Sequence, residues 1–236
     1  EDFSLLRNVT LTDSYTDPQF QLWSRKRKGV YTSNGAVVGV IRRSKDNKLD
    51  PDLYIFGLAG FFKGYYPGYS NDGLKDGRRN WFTWAVLKGH TKNQRGYVEL
   101  NRDTPKNPQS VPEINFRYFD DEDKARDSTE ERAKENSRTY DQLRMDAERE
   151  ADDDLDSIVE GVNYVRRLNQ DPQMREILDS TPEALPGAAI DTEEKLRDYC
   201  KHQSWGHHAS CTCPIGPEEP SDVLEFGGAL DSNFKV

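Results

Sequence analysis

The stretch LDSIVEGVNYVRRL, residues 155–168, carries Leu155, Ile158, Val159, Val162, Val165 and Leu168 three and four positions apart. That spacing puts all six on one stripe of a helix. It predicts a helix over 153–169 that must bury the stripe against a neighbour. The text before it supplies one. GAVVGVIRRS (35–44), DLYIFGLAGFF (52–62), NWFTWAVLKG (80–89), RGYVELNR (95–102) and PEINFRYF (112–119) are β-branched, aromatic or alternating, the habit of half-buried strands. Short turns between them favour antiparallel pairing. A short helix around 172–179 follows the long one. Asp191 and Glu194 then form a capping-box pair that opens a last helix bearing Leu196 and Tyr199. Strands first and helices later give an α+β fold, an antiparallel sheet covered on one face by helices.

The 236 residues suit one domain with a long excursion. Asp120 to Asp154 is that excursion, almost wholly charged, with Leu143 and Met145 its large aliphatic residues. It reads either as a solvated helix or mobile insertion, or as a docking surface for a partner. A net charge of -9 offers no source for binding nucleic acid or anionic lipid. The basic run Ser24 to Lys28 is expected to be solvated beside a turn at Gly29. No apolar run approaches the roughly 20 residues that span a bilayer. Reduced thiols lean towards a cytoplasmic location.

All three cysteines and three of the four histidines lie in YCKHQSWGHHASCTCPIG (199–216). Cys200, His202, His207, His208, Cys211 and Cys213 resemble a zinc ligand list, but structural zinc usually draws two close pairs from two separate hairpins or helices. These crowd into fourteen residues, 200–213, without a distant second pair, and no metal is expected. Cys211-Thr212-Cys213 is one residue short of the usual dithiol spacing. A cysteine nucleophile with a histidine base needs partners that face each other, which near neighbours in sequence seldom do. A single imidazole on a turn of small residues, Gly206, Ala209, Ser210 and Thr212, suits close approach to a flat cofactor. Composition alone leaves that reading level with a structural histidine.

The order of residues goes further. His208-Ala209-Ser210-Cys211-Thr212-Cys213-Pro214-Ile215-Gly216 resembles the catalytic-histidine segment H-x-x-G-T-C-x-M-G of the glucose-methanol-choline (GMC) oxidoreductases, with matches at His208, Thr212, Cys213 and Gly216. KGVYTSNGAVVGVIRRS (28–44), NQRGYVELNRDTPKNPQSVPEINFRYF (93–119) and LDSNFKV (230–236) resemble further segments in the family's order. Cys211 replaces the usual Gly, and His207 an aromatic residue.

The resemblance implies that residues 1–236 are a substrate-binding domain with a charged insertion at about 120–154. The dinucleotide fingerprint G-x-G-x-x-G is absent from these residues. An FAD-binding domain of the same protein is therefore an expected partner outside them, as is the second catalytic residue. The implied reaction is FAD-dependent oxidation of a small-molecule alcohol by hydride transfer to flavin N5. His208 is the implied base, His207 a cofactor contact, and Trp205, Phe61, Phe62 and Tyr65 the substrate wall. Phe61, Phe62 and Tyr65, with Tyr66 and Tyr69, read either as a lid or pocket wall or as an ordinary aromatic cluster beneath a glycine loop. Two other outcomes stay open: a flavin-dependent lyase or decarboxylase on the same scaffold, and a non-catalytic binding domain.

Overall fold

A computed structural model describes residues 5–6, 8–12, 14–75, 77–92, 96–119, 140–178, 183–208, 210, 212–213, 215–216 and 229–235. Their elements run α1 (Pro18–Lys26), β1 (Ala36–Arg42), β2 (Leu53–Leu58), α2 (Tyr69–Gly73), β3 (Thr83–Lys88), β4 (Tyr97–Glu99), β5 (Glu113–Asn115), α3 (Tyr140–Asn169), α4 (Pro172–Ile177) and α5 (Glu193–Gln203). The class is α+β with antiparallel strands. The strands form two sheets, one of order β1-β2-β3 and one of β4 with β5.

The expected strands are shorter than their apolar text, for local reasons. At the end of β5, the Asn115 side-chain oxygen accepts from the Arg117 N–H at 3.2 Å, and Arg117 sits at φ 47°. That turn takes the chain out of the ladder before Phe116. After β2, the Gly60 N–H returns to the Leu58 carbonyl at 2.9 Å, so Phe61 and Phe62 belong to a loop.

The chain ahead of the first strand contains α1. Buried Asp17 caps it, accepting from the N–H groups of Gln19 (2.7 Å) and Phe20 (3.1 Å), with Pro18 in the first turn. The same carboxylate receives the Tyr31 hydroxyl at 2.5 Å. Arg25 to Lys28 are exposed at the far end of α1, beside Gly29 at φ 92°. The N-cap of α5 falls one residue later than expected and forms no capping box: Thr192 is the N-cap, bonded to the Lys195 N–H at 3.2 Å, and Lys rather than Glu stands at the third helical position. Asp191 instead meets the Lys195 ammonium at 2.6 Å.

The central helix α3 begins at Tyr140, well before the apolar stripe. Glu, Arg, Gln, Ala, Leu and Met are all good helix formers, so charged text continues the helix at little cost. Its stripe serves two partners. Leu155 and Val159 pack with Leu196 and Cys200 of α5, with Ile158 and Val162 alongside. Val165 packs on Leu53 and Ile55 of β2, flanked by Val40, Trp84 and Val86. Between the two groups, Gly161 lets the helix touch the sheet: a Cβ there would lie 2.4 Å from Val86 Cγ1 and 3.5 Å from Leu53 Cδ1.

The acidic turns of α3 are not left to solvent. Ala151 and Asp154 are buried, at 3% and 1% exposure. Asp154 accepts from the Lys92 N–H at 2.9 Å and faces Lys88 Nζ at 3.5 Å. Asp153 meets Lys45, Lys48 and Lys92 at 2.9, 3.2 and 3.0 Å. Asp52, at the start of β2, joins Lys48 at 2.7 Å and Lys88 at 3.6 Å, and accepts from the Ser44 N–H and hydroxyl at 2.7 Å each. Ser157 of α3 donates to the same carboxylate at 3.3 Å. Residues 120–139, the rest of the expected insertion, lie outside the described residues.

Two outcomes test this packing. Gly161→Ala gains about 1 kcal/mol of helix propensity but overpacks the sheet, which typically costs about 1–3 kcal/mol. Net destabilisation in urea is expected, with a smaller effect of the same change in a Val86→Ala background.

The second outcome concerns acid. Burial alone would raise the carboxyls of Asp52 and Asp153. The hydrogen bonds from Lys48 and Ser44 to the first, and from Lys45, Lys92 and Lys48 to the second, hold both well below the usual carboxylate range. Groups depressed on folding stabilise above their unfolded pKa of about 3.9 and lose that contribution as pH falls towards the folded value. Thermal melts should therefore show their contribution intact at neutral pH and lost as the medium is acidified below about pH 4. Asp52→Ala leaves Lys48 and Lys88 to Asp153 and Asp154 alone and takes the acceptor from the Ser44 N–H, and should cost about 2 kcal/mol at neutral pH.

Candidate active site

Helix α5 sets the site. Leu196 and Cys200, 1% and 4% exposed, fix it against α3, and its last turn closes with the Ser204 N–H on the Cys200 carbonyl at 3.1 Å. Ser204 is extended, so the chain leaves the helix and carries Trp205, His207 and His208 outward, all exposed.

The loop after β2 meets them. The Phe62 N–H donates to Thr83 Oγ1 at 3.1 Å, and that hydroxyl donates to the Gly60 carbonyl at 2.6 Å, tying the loop to β3. Gly64, at φ 120°, places its backbone so close to the indole that a Cβ would lie 3.2 Å from Trp205 Cε2. Only glycine takes that conformation without strain. The two segments then interlock through rings. Trp205 stacks on His207 at 5.4 Å and 26°. Tyr65 meets Trp205 edge-on at 5.6 Å and His207 at 4.7 Å. Phe62 stands edge-on to Tyr65 (5.2 Å) and Trp205 (5.8 Å). His207 and His208 lie 4.3 Å apart.

Thus five of the eight residues singled out for the site from sequence, Phe62, Tyr65, Trp205, His207 and His208, share one surface; Tyr69 adjoins it through Phe62 (6.0 Å) and Tyr65 (5.1 Å), with Tyr66 next to Tyr69 (6.4 Å). Phe61 does not join them. It packs edge-on against Trp81 at 5.1 Å under the Arg78 guanidinium. Tyr118 was missed: with Phe116, stacked on it at 5.2 Å, it lines a cavity of about 570 Å³ that borders Trp205 and Gly206. Burial raises its phenol. Gly64 was also missed, although a glycine among aromatics is the sequence signal for a close backbone approach.

Members of the possible metal list are spent elsewhere. Cys200 is in the core, and burial pushes its thiol up to about 11. His202 faces Asp198 on its own helix at 3.1 Å. Among the described residues no three His, Cys, Asp or Glu side chains gather as a metal site. Cys211 lies outside the described residues; Cys213 is exposed. Beyond it, Ile215 bridges Leu230, with the Gly216 N–H on the Leu230 carbonyl at 2.9 Å. This pairs the segment after His208 with the end of the chain.

Residues 92–236, which include α5, both imidazoles and this bridge, match the family model described as GMC oxidoreductase. The chain belongs to the GMC oxidoreductase family. The matched region is the family's C-terminal, substrate-binding domain, and the family is one of flavin-dependent oxidoreductases. No curated protein matches the chain. Among the described residues no helix is long and apolar enough to cross a membrane.

The thiols give a direct check on this geometry. In the native protein a maleimide should label Cys213 and spare Cys200, which becomes reactive only on unfolding. Peptide mass spectrometry before and after denaturation reads the two sites separately, and native labelling of Cys200 would mean that α5 is not seated on α3.

Proposed function

We propose that this GMC oxidoreductase chain forms the substrate-binding part of an FAD-dependent enzyme that oxidises a small-molecule alcohol, with His208 as the base. The cofactor, when bound, supplies a hydride acceptor at flavin N5. On this reading FAD is held chiefly by an FAD-binding domain outside these residues, since no G-x-G-x-x-G occurs within them.

The residues present suit a flat ring system. Trp205 and Tyr65 are 46% and 55% exposed and offer aromatic surface beside the imidazoles. His207, steadied by Trp205 and Tyr65, is the residue that would lie against the cofactor. Trp205, Tyr65 and Phe62 would cover the carbon skeleton of the alcohol and keep water from it. Phe61, packed on Trp81, supports the loop from behind.

The observation that carries the reading is the place of His208. It is an exposed imidazole at the end of the aromatic wall, inside the segment that matches the family. There a ring nitrogen can take the proton of a carbinol oxygen as the carbon loses its hydride. Imidazole as a chemical group titrates near neutrality, which suits a base that must accept and release that proton in each turnover.

The flavin-loaded full-length protein tests this. His208→Ala should keep its flavin but slow anaerobic flavin reduction by alcohol by about 10²- to 10⁴-fold, the range for loss of a general base. Cys213→Ser should reduce at the parent rate. Parent-rate reduction in His208→Ala would remove the imidazole from the reaction.

A further inference from the structure

The aromatic cluster does not end at the imidazoles. Trp205 touches Tyr65 at 5.6 Å, Tyr65 touches Tyr69 at 5.1 Å, and Tyr69 touches Tyr66 at 6.4 Å, centroid to centroid. The series runs from Trp205, stacked on His207, to a phenol with a built proton acceptor: Tyr66 donates to Asp72 Oδ2 at 2.6 Å. Asp72 is pinned by Lys75 and Arg78, each at 2.6 Å. Phe62 touches Trp205, Tyr65 and Tyr69, but its ring lacks a heteroatom and is far harder to oxidise, so it packs the series without joining it.

We propose that Trp205, Tyr65, Tyr69 and Tyr66 form a redox relay that carries one-electron oxidation away from the imidazoles. The co-reactant is a strong one-electron oxidant of the hydroxyl-radical class arriving at the exposed Trp205–His207 end. Net, the oxidant gains one electron and Tyr66 loses one. The Tyr66 phenolic proton passes to Asp72, leaving a neutral phenoxyl radical and a neutral carboxylic acid. Trp205, Tyr65 and Tyr69 begin and end unchanged. An oxidised phenol is a far stronger acid than any carboxylic acid, so even a carboxylate held by two cations accepts its proton. A soluble thiol then gives a hydrogen atom to the phenoxyl oxygen, restoring Tyr66 and becoming a thiyl radical, and Asp72 returns its proton to water. The relay does not depend on His208 acting as a base.

The test places the oxidant at one end. A ruthenium bis-bipyridine photo-oxidant is coordinated to His208, with His90, His202 and His207 replaced by glutamine, and fired by flash and quench. Electron paramagnetic resonance should find a phenoxyl radical on Tyr66, and Tyr66→Phe should remove that signal. Tyr69→Phe, which keeps the ring contact but not the oxidisable phenol, should lower the Tyr66 radical several-fold and leave the oxidation on Tyr65 or Trp205. Asp72→Asn should also lower it several-fold. All are compared in chains whose thermal unfolding matches the parent. A radical that never reaches Tyr66, or a Tyr66 yield unchanged by Tyr69→Phe, would overturn the relay.

Discussion

The seating of α3 on the sheet at Gly161 is the contact on which the rest depends. With no Cβ at that position the helix backbone comes down between Val86 and Leu53. Val165 then reaches Ile55, and the opposite flank of the stripe is free to receive α5. Close packing of this kind is intolerant of even one extra carbon. The ionic group around Asp52, Asp153 and Asp154 fastens the same helix further towards its start. Those charges are paired and hydrogen-bonded, the condition under which buried carboxylates persist. Desolvation offsets much of the Coulomb gain of such pairs, so their number is not a measure of net stabilisation.

Much of the architecture was legible because it rests on periodicity. The stripe from Leu155 to Leu168 announced its helix, and the alternating text announced the strands. What periodicity does not encode is the partner. One stripe proved to face a sheet and a helix, and a single register of apolar residues looks the same whether it has one neighbour or two. The α1 helix was hidden for a different reason. Its signal was the pair Asp17-Pro18 rather than an apolar stripe, and none of its residues is buried. The shift of the last helix's cap from Asp191 to Thr192 shows how neighbouring side chains that can both cap compete within one residue.

At the site, chain order identified the imidazoles, but contact with the 61–69 loop is a tertiary fact. Phe61 and Phe62 are chemically identical neighbours with different surroundings, one packed on Trp81 and the other on Trp205. Nothing local distinguishes them, because the side each takes is set by where β2 ends and by the Thr83 hydroxyl that catches the Phe62 N–H. Gly64 was the more informative residue. A glycine at positive φ inside aromatic text marks the place where backbone, rather than side chain, meets a ring.

The double duty of α3 also has a dynamic meaning. The imidazoles hang from the end of α5, α5 is anchored through Leu196 and Cys200 on α3, and α3 is anchored on the three-stranded sheet. In such a series the opening of any joint frees everything beyond it, so α5 and its imidazoles are no more protected in hydrogen exchange than the least stable joint allows. The ring surface around His208 is thus only as ordered as the helix beneath it. A change at the ionic end of α3, remote in sequence from every ring of the site, reaches those rings as a loss of persistence and not as a change of shape.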